Sequence, residues 1–222
     1  MKMLELFAGT RRMSDAFEKE GFETFTIEID QSFPRIDYYQ DIMKIGALDI
    51  VERFGYPSVI WASPVCTSYS VAAISKHRRK EPNGNLAPIT DFAKHSDEMV
   101  KWTLQLIKDL NPRYFFIENP MGALRKMEFM QGIPRHLITY CQYGEPYQKP
   151  TDIWTNHPDP KFKPPCKKGM PCHESAPRGS ATGVQRLKNS RDKAKLPLKL
   201  CEHIAKISLE KALCLFLFLL YN

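Results

Sequence analysis

The sequence predicts an α/β chain built on an open, doubly wound sheet, and three observations carry that expectation. Within residues 3–30 an apolar strand-length run, a glycine turn, a helix-length segment and a second strand ending in an acid follow one another. Two further buried-strand patterns, Ser58–Ala62 and Arg113–Ile117, each run directly into residues able to do chemistry. The chain has 222 residues, 43% hydrophobic and 26% charged, which suits one substantial globular domain with a small appendage.

Met3–Ala8 reads as the first strand and Gly9-Thr10 as a tight turn into a helix from about Arg11 to Glu20, capped by Gly21. Phe22–Ile29 alternates and is rich in β-branched and aromatic residues, a second strand ending in Glu28-Ile29-Asp30. A glycine in such a turn lets backbone approach a ligand, and the acid can accept hydrogen bonds from ribose hydroxyls. A single glycine does not meet the dinucleotide fingerprint, which argues against an ordinary nicotinamide oxidoreductase, and taken alone it reads as a turn. Tyr38–Ile42 is a short strand before a helix from about Lys44 to Phe54. Asp41 is either that helix's N-cap, the reading its type favours, or an acceptor for an exocyclic amine. After the strand Ser58–Ala62 the chain breaks at Pro64 and sets Cys66 at the carboxyl edge, where open sheets place ligands. A cysteine there is a nucleophile if a neighbour takes its proton, and otherwise a small buried apolar residue.

Val71–Pro88 is polar and holds Lys76-His77-Arg78-Arg79-Lys80. It reads as a solvated loop, or as one that closes over an anionic substrate. A helix follows from Thr90 or Asp91 to Leu110, with Met99 and Trp102 expected in its packed face, and stops at Asn111-Pro112. Arg113–Ile117 then delivers Glu118-Asn119-Pro120 to a strand edge facing the Cys66 crevice, the alternative being an exposed Asn-Pro turn. His136–Cys141 is a further strand leading to Gln142-Tyr143-Gly144, and Lys149–Asn156 a short strand that turns back. From His157 six prolines and interleaved lysines leave little room for regular structure up to about Asn189, with Arg178, Lys188 and Arg191 available for phosphates. An amphipathic helix from Pro197 to about Ala212 presents Leu198, Cys201, Ile204, Ala205, Ile207 and Leu209. The apolar tail Leu213–Tyr221 has about half the length of a membrane span and reads as a docking element.

The formal charge of +7 suits a polyanionic partner. The six cysteines sit in a chain that opens on a strand, so a reducing cytosol is expected. Cys166, Cys172 and His173, with Cys141, Cys201 or His203, have the residue types of a zinc site. Their spacing lacks a tight C-x₂-C pair, so ordinary packing is favoured and no metal is expected.

In their order, Phe7-Ala8-Gly9, Glu28, Asp41, Cys66 within Ser63-Pro64-Val65-Cys66-Thr67-Ser68-Tyr69-Ser70, Glu118-Asn119-Pro120 and Gln142 resemble the motifs of DNA (cytosine-5) methyltransferases. With Tyr140-Cys141-Gln142-Tyr143-Gly144 and Lys149-Pro150-Thr151-Asp152-Ile153-Trp154-Thr155-Asn156, the chain is more closely similar to the short bacteriophage and prophage members, over nearly its whole length. The resemblance implies a Rossmann-like S-adenosylmethionine domain over residues 1–156, a small basic target-recognition module over 157–190, and a C-terminal helix over 191–222 packing back. The methyl donor is expected at Phe7, Ala8, Gly9, Thr10, Glu28, Ile29, Asp41, Ile42, Ser63 and Pro64, with Glu28 on its ribose and Asp41 and Ile42 on its adenine.

Cytosine C5 is a poor nucleophile, so a thiolate, here Cys66, must first add to C6. Glu118 would serve N3 and N4, and Asn119 would buttress the cysteine loop. A base inside a duplex must be flipped out to be reached. Ser68, Lys76, Arg78, Arg79, Gln142, Lys149 and Arg178 are the expected nucleic-acid contacts. The implied partner is double-stranded DNA, for a monomeric, membrane-free protein in the cytoplasm of a bacterial host, guarding phage or prophage DNA from restriction. Methylation of a tRNA cytosine and a nucleic-acid-binding pseudoenzyme are the rival readings. Against the family pattern, Val65 separates Pro64 from Cys66, and Pro120 stands where valine is usual. Gln142 and Lys149 replace an arginine pair, and no closing glycine-asparagine motif is evident.

Overall fold

A computed structural model describes residues 1–82, 84–167, 169–174, 187 and 189–209. At its centre lies β1 (Lys2–Leu6), whose Met3, Leu4 and Leu6 are fully buried because both faces of the strand are covered. The chain passes through α1 (Arg12–Lys19) and turns at Gly21, whose φ of +82° suits glycine. It continues through β2 (Glu23–Glu28), β3 (Tyr38–Tyr39), α2 (Ala47–Arg53) and β4 (Val59–Ala62). A short helix α3 (Ile74–His77) and the hairpin β5 (Arg78–Lys80) and β6 (Leu86–Pro88) precede the long helix α4 (Asp91–Leu110). Thr90 caps α4 by accepting from the Ala93 amide. Then come β7 (Tyr114–Pro120), β8 (Arg135–Thr139), β9 (Pro150–Thr155), α5 (Ser190–Ala194) and α6 (Leu198–Leu209).

The sheet runs β3-β2-β1-β4-β7-β9-β8, parallel as far as β7 and antiparallel beyond it. Of the predicted doubly wound sheet, this is a seven-strand, mostly parallel version. On one face α1 and α6 bury Met13, Phe17, Leu200, Ile204 and Ile207 against Met3, Trp61 and Phe116. On the other, Val100, Leu106, Ile107 and Leu110 of α4 cover Leu4, Leu6, Ile60 and Ile117. Each fully buried side chain of this kind contributes about 1.5–3 kcal/mol over its exposed state.

Several sequence expectations change. The Val71–Pro88 segment is not an open loop but a helical turn and a hairpin, because Arg78 is drawn inside. Trp102 is 39% exposed at the rim of α4, its indole N–H donating to the Ile45 carbonyl at 3.1 Å. The strand expected to reach Cys141 ends at Thr139 and gives way to a 3₁₀ turn, Tyr140–Tyr143. Leu198 is exposed, not part of the buried face of α6. Ala212, the tail Leu213–Tyr221, Arg178 and Lys188 lie outside the described residues.

Among the described residues of 157–174 there is neither helix nor strand. The segment is tied down by single bonds, Lys163 N–H to Tyr143 Oη at 3.0 Å, Cys166 N–H to Thr139 Oγ1 at 2.9 Å, and Glu174 N–H to the Pro146 carbonyl at 2.9 Å. No described helix is long and apolar enough to cross a membrane.

The acid Glu5 lies buried between β1 and α1, accepting from both the amide and the hydroxyl of Ser14. Burial outweighs those bonds and pushes its carboxyl up from 4.5 to about 7. A raised folded-state value means stability that is present below the unfolded value and lost as pH rises through about 7. Replacing Glu5 by glutamine should therefore flatten the stability profile between mildly acidic and mildly alkaline pH, by up to roughly 3 kcal/mol. Urea unfolding at several pH values measures this, and a profile parallel to the parent's would remove Glu5 as its source.

Candidate active site

Pairing in register sets Ile27, Leu6, Ala62 and Ile117 in one row across β2, β1, β4 and β7. The next residue on each strand, Glu28, Phe7, Ser63 and Glu118, therefore stands on one carboxyl edge, where such sheets carry their chemistry. From Ser63 the chain leaves β4 through the buried Pro64 and brings the half-buried Cys66 to the start of a 3₁₀ turn, Thr67–Tyr69. Asn119 of β7 donates from Nδ2 to the Pro64 carbonyl at 3.0 Å, tying the cysteine loop to the strand that carries Glu118. The Asn119 Oδ1 is buried without a partner among the described residues, an acceptor left for a ligand or a water. At Gly122 a Cβ would stand 2.2 Å from the Tyr69 carbonyl oxygen, so only glycine lets the turn after β7 pass beneath that loop.

Arg78 holds the far side of the cysteine loop. Its guanidinium donates to both carboxylate oxygens of Asp97 at 2.6 and 3.1 Å and, through Nε, to the Ser68 carbonyl at 3.0 Å. It also lies 4.3 Å from the centre of the Tyr69 ring, and Tyr69 Oη donates to Asp97 at 2.6 Å. The side chain is fully buried.

The electrostatics centre on Cys66 and Glu118. Glu118 is buried, accepting from Tyr140 Oη at 2.9 Å and from the Ser63 hydroxyl. Burial raises its pKa above the ordinary carboxyl value although the nearby Lys149 ammonium and these bonds oppose it. The Cys66 thiol is raised as well, first by burial and then by the Glu118 charge, against the pull of Lys149. Both groups are thus harder to ionise than their free counterparts, and Glu118 in its protonated form can donate to a ring nitrogen. Lys149 Nζ is itself buried, donating to the Lys193 carbonyl at 2.8 Å and lying over the Tyr140 ring at 4.5 Å.

The other half of the edge has the features of a nucleoside site. Phe7 and Gly9 both have positive φ, +59° and +48°, and wrap the turn after β1. Glu28 Oε2 accepts from the Gly9 amide at 3.0 Å, and Oε1 from Ile29 and Asp30 at 2.9 and 3.0 Å. A carboxylate so held presents free lone pairs to hydroxyls, and Ile29 beside it is 65% exposed, apolar surface that a flat ring could cover. Asp41 caps the 3₁₀ turn Ile42–Lys44, its Oδ1 accepting from Met43 N–H at 3.0 Å, and not the expected helix, which starts behind Gly46; Ile42 is buried. Asp30 also pairs with Arg191, expected instead at phosphates.

The expected nucleic-acid contacts divide. Lys76 and Arg79 are exposed at the α3–β5 corner. Ser68, Arg78 and Lys149 are buried in the bonds described, so they support the site from within and do not face a phosphate. Gln142 is half-buried with its amide on Cys172 Sγ at 3.4 Å. Arg178 lies outside the described residues. Cys166, Cys172 and His173 meet Cys141, while Cys201 lies in the α6 core and His203 bonds the Pro160 carbonyl. Sequence reasoning missed Tyr140 and Asp97 as partners, since nothing local marks a tyrosine or a mid-helix aspartate as bound to a distant strand edge.

The family model described as C-5 cytosine-specific DNA methylase matches residues 1–137. No curated protein matches at the level taken as significant. Among solved structures, a candidate DNA modification methyltransferase encoded within an E. coli prophage is 17% identical, with a TM-score of 0.51, over 70% of this chain and 46% of its own. The methyltransferase EhMeth of Entamoeba histolytica is 15% identical, with a TM-score of 0.50, over 73% and 55%. The S. pombe Dnmt2 methyltransferase is 16% identical, with a TM-score of 0.49, over 70% and 50%. At these identities the likeness is one of fold. The chain spans about half the length of the structures it resembles.

Two outcomes follow from this geometry. Replacing Arg78 by methionine strands the Asp97 carboxylate and should cost about 3–5 kcal/mol in chemical unfolding, a loss that adding Asp97→Leu should partly recover. If Arg78→Met were neutral, the buried pair would not hold the loop. In alkylation by iodoacetamide followed at Cys66 by mass spectrometry, reactivity should rise only above the ordinary thiol range. Glu118→Gln should move that rise to lower pH by removing the neighbouring charge.

Proposed function

The chain belongs to the C-5 cytosine-specific DNA methylase family, whose members use S-adenosyl-L-methionine, and on that premise we propose that it methylates cytosine in double-stranded DNA at C5. The observation that carries the reading is the carboxyl-edge row of Glu28, Phe7, Ser63 and Glu118, from which the chain runs on to Gly9 after β1 and to Cys66 after β4. The fit to the methyl donor rests on that turn. Glu28, fixed by three amides, would take the ribose hydroxyls, Ile29 would lie against the adenine, and Phe7, Gly9, Ser63 and Pro64 would shape the floor. The bound donor supplies an electrophilic methyl group.

The remaining chemistry falls to the chain's own residues. Cys66 loses its proton to solvent and adds through sulfur to C6, breaking the C5–C6 π bond. The electrons move toward C5 and the N3 side of the ring, where Glu118 donates its held proton and prevents charge from building up. C5 is then enamine-like, the carbon to which the bound donor would supply its methyl, the electron pair of the broken S–C bond staying on the donor's sulfur. Loss of the C5 proton to a base then expels the Cys66 thiolate, and Glu118 recovers its proton. Tyr140 and Ser63 keep Glu118 aimed, and Asn119 keeps the Pro64–Cys66 turn against β7. Lys149 sets the potential both groups feel. The target base would be flipped out to reach them, with the exposed Lys76 and Arg79 near its phosphates and the 157–190 segment choosing the sequence. The biological setting we favour is self-modification of phage or prophage DNA against restriction in the host cytoplasm.

Trapping tests this. Duplex DNA carrying 5-fluorocytosine, incubated with the protein and S-adenosylmethionine, should give a covalent adduct on a denaturing gel, because fluorine at C5 blocks the final elimination. Cys66→Ser should abolish it, and turnover on ordinary DNA should fall by roughly 10³-fold or more. Glu118→Gln should lower turnover about 10²–10³-fold with DNA binding retained. An adduct with fluorinated RNA alone would replace the DNA substrate by a tRNA-type one, and tight binding with no adduct would leave a binding protein.

A further inference from the structure

We propose that Cys141, Cys166, Cys172 and His173 form a structural zinc site that fastens the irregular segment after β9 to the edge of the sheet. Their four donor atoms lie within 4.8 Å of one another. Zn–S bonds near 2.3 Å and Zn–N bonds near 2.0–2.1 Å put the edges of a tetrahedron at about 3.8 Å between sulfurs and about 3.5 Å between sulfur and nitrogen. The side chains hold those separations: Cys172 Sγ to Cys141 Sγ is 3.8 Å, Cys166 Sγ to His173 Nδ1 is 3.7 Å, and Cys172 Sγ to His173 Nδ1 is 3.5 Å. Cys141 Sγ and Cys166 Sγ are nearer, at 3.1 Å, but still an ångström beyond the roughly 2.05 Å of a disulfide. A Cys₃His set is a donor combination of closed, structural zinc sites.

The surroundings point the same way. Gln148 Nε2 lies 3.0 Å from Cys166 Sγ, and Gln142 Nε2 lies 3.4 Å from Cys172 Sγ. Amide donors aimed at sulfur stabilise thiolates, as outer-shell partners do around metal-bound cysteines. The donors also come from two places: Cys141 in the 3₁₀ turn after β8, the other three in a stretch where no described residue is in a helix or strand. Such a stretch has little core of its own, and a metal is one of the few devices that fixes so small a unit. The lack of a tight C-x₂-C pair weighed against zinc in the sequence, and the fold supplies the missing partner by bringing Cys141 in from the 3₁₀ turn after β8.

The full chain, purified with reductant and without chelator, should carry about one zinc by elemental analysis. Exchange into cobalt should give the intense visible absorption of tetrahedral, thiolate-bound Co²⁺. His173→Cys should keep one metal and the tetrahedral spectrum. His173→Ala and Cys166→Ser should each weaken zinc binding by at least tenfold in competition with a chromophoric chelator, and chelation should lower the melting temperature of the parent but not of Cys166→Ser. Reduced protein that takes up neither zinc nor cobalt would overturn the proposal. So would zinc that stays bound at full stoichiometry in a Cys166→Ser/Cys172→Ser variant.

Discussion

Parallel pairing of β2, β1, β4 and β7 in one register is the constraint from which the site inherits its shape. Side chains in a strand alternate with a period of two, so a slip of one residue would exchange the residues that each strand packs on its two faces. Here Leu6, Ile60 and Ile117 pack under α4 on one face and Met3, Trp61 and Phe116 under α1 and α6 on the other, so the register is fixed by which buried layer each side chain fits. Moving any one strand disturbs both layers, and Glu28, Phe7, Ser63 and Glu118 follow their strands. Function is therefore held by the same burial that holds the fold.

What that row does not supply is the conformation of the loop carrying Cys66, and here a second device acts. The loop is gripped from β7 by Asn119 on the Pro64 carbonyl and by the bare Gly122 under Tyr69. It is gripped from α4 by Asp97 through Arg78 and Tyr69. A buried ion pair is weak evidence of stability in itself, because desolvation offsets most of the attraction. Its geometric value is the stronger argument: a planar guanidinium bonded to Asp97 and Ser68 and lying over the Tyr69 ring leaves the loop few other shapes.

The legible part of the sequence was that whose signal is local. Strand-length apolar runs, Gly21 as a turn, Thr90 as a cap and Glu118 at a strand edge are all readable from a few neighbours. Arg78 was misread because a basic run gives no sign of which member has an acid waiting 19 residues away. Lys149 was misread for the same reason: its partners, Tyr140 and the Lys193 carbonyl, come from elsewhere in the chain. Asp41 caps a 3₁₀ turn and not the helix expected of it, because the chain makes that extra turn before α2 begins behind Gly46.

The two halves of the site also meet through one turn. Tyr140 reaches inward to Glu118, and the very next residue, Cys141, reaches outward to Cys166 and Cys172. The 3₁₀ turn Tyr140–Tyr143 is too short to be held by its own backbone bonds, so its position depends on what grips its side chains. On the inner side that is the buried hydroxyl–carboxylate bond, which loses most if Tyr140 moves, because Glu118 would then stand in low dielectric with one partner fewer. On the outer side it is the sulfur cluster. A turn clamped at adjacent residues cannot rotate about either one alone, so the fastening of the irregular segment and the aim of Glu118 are properties of a single element.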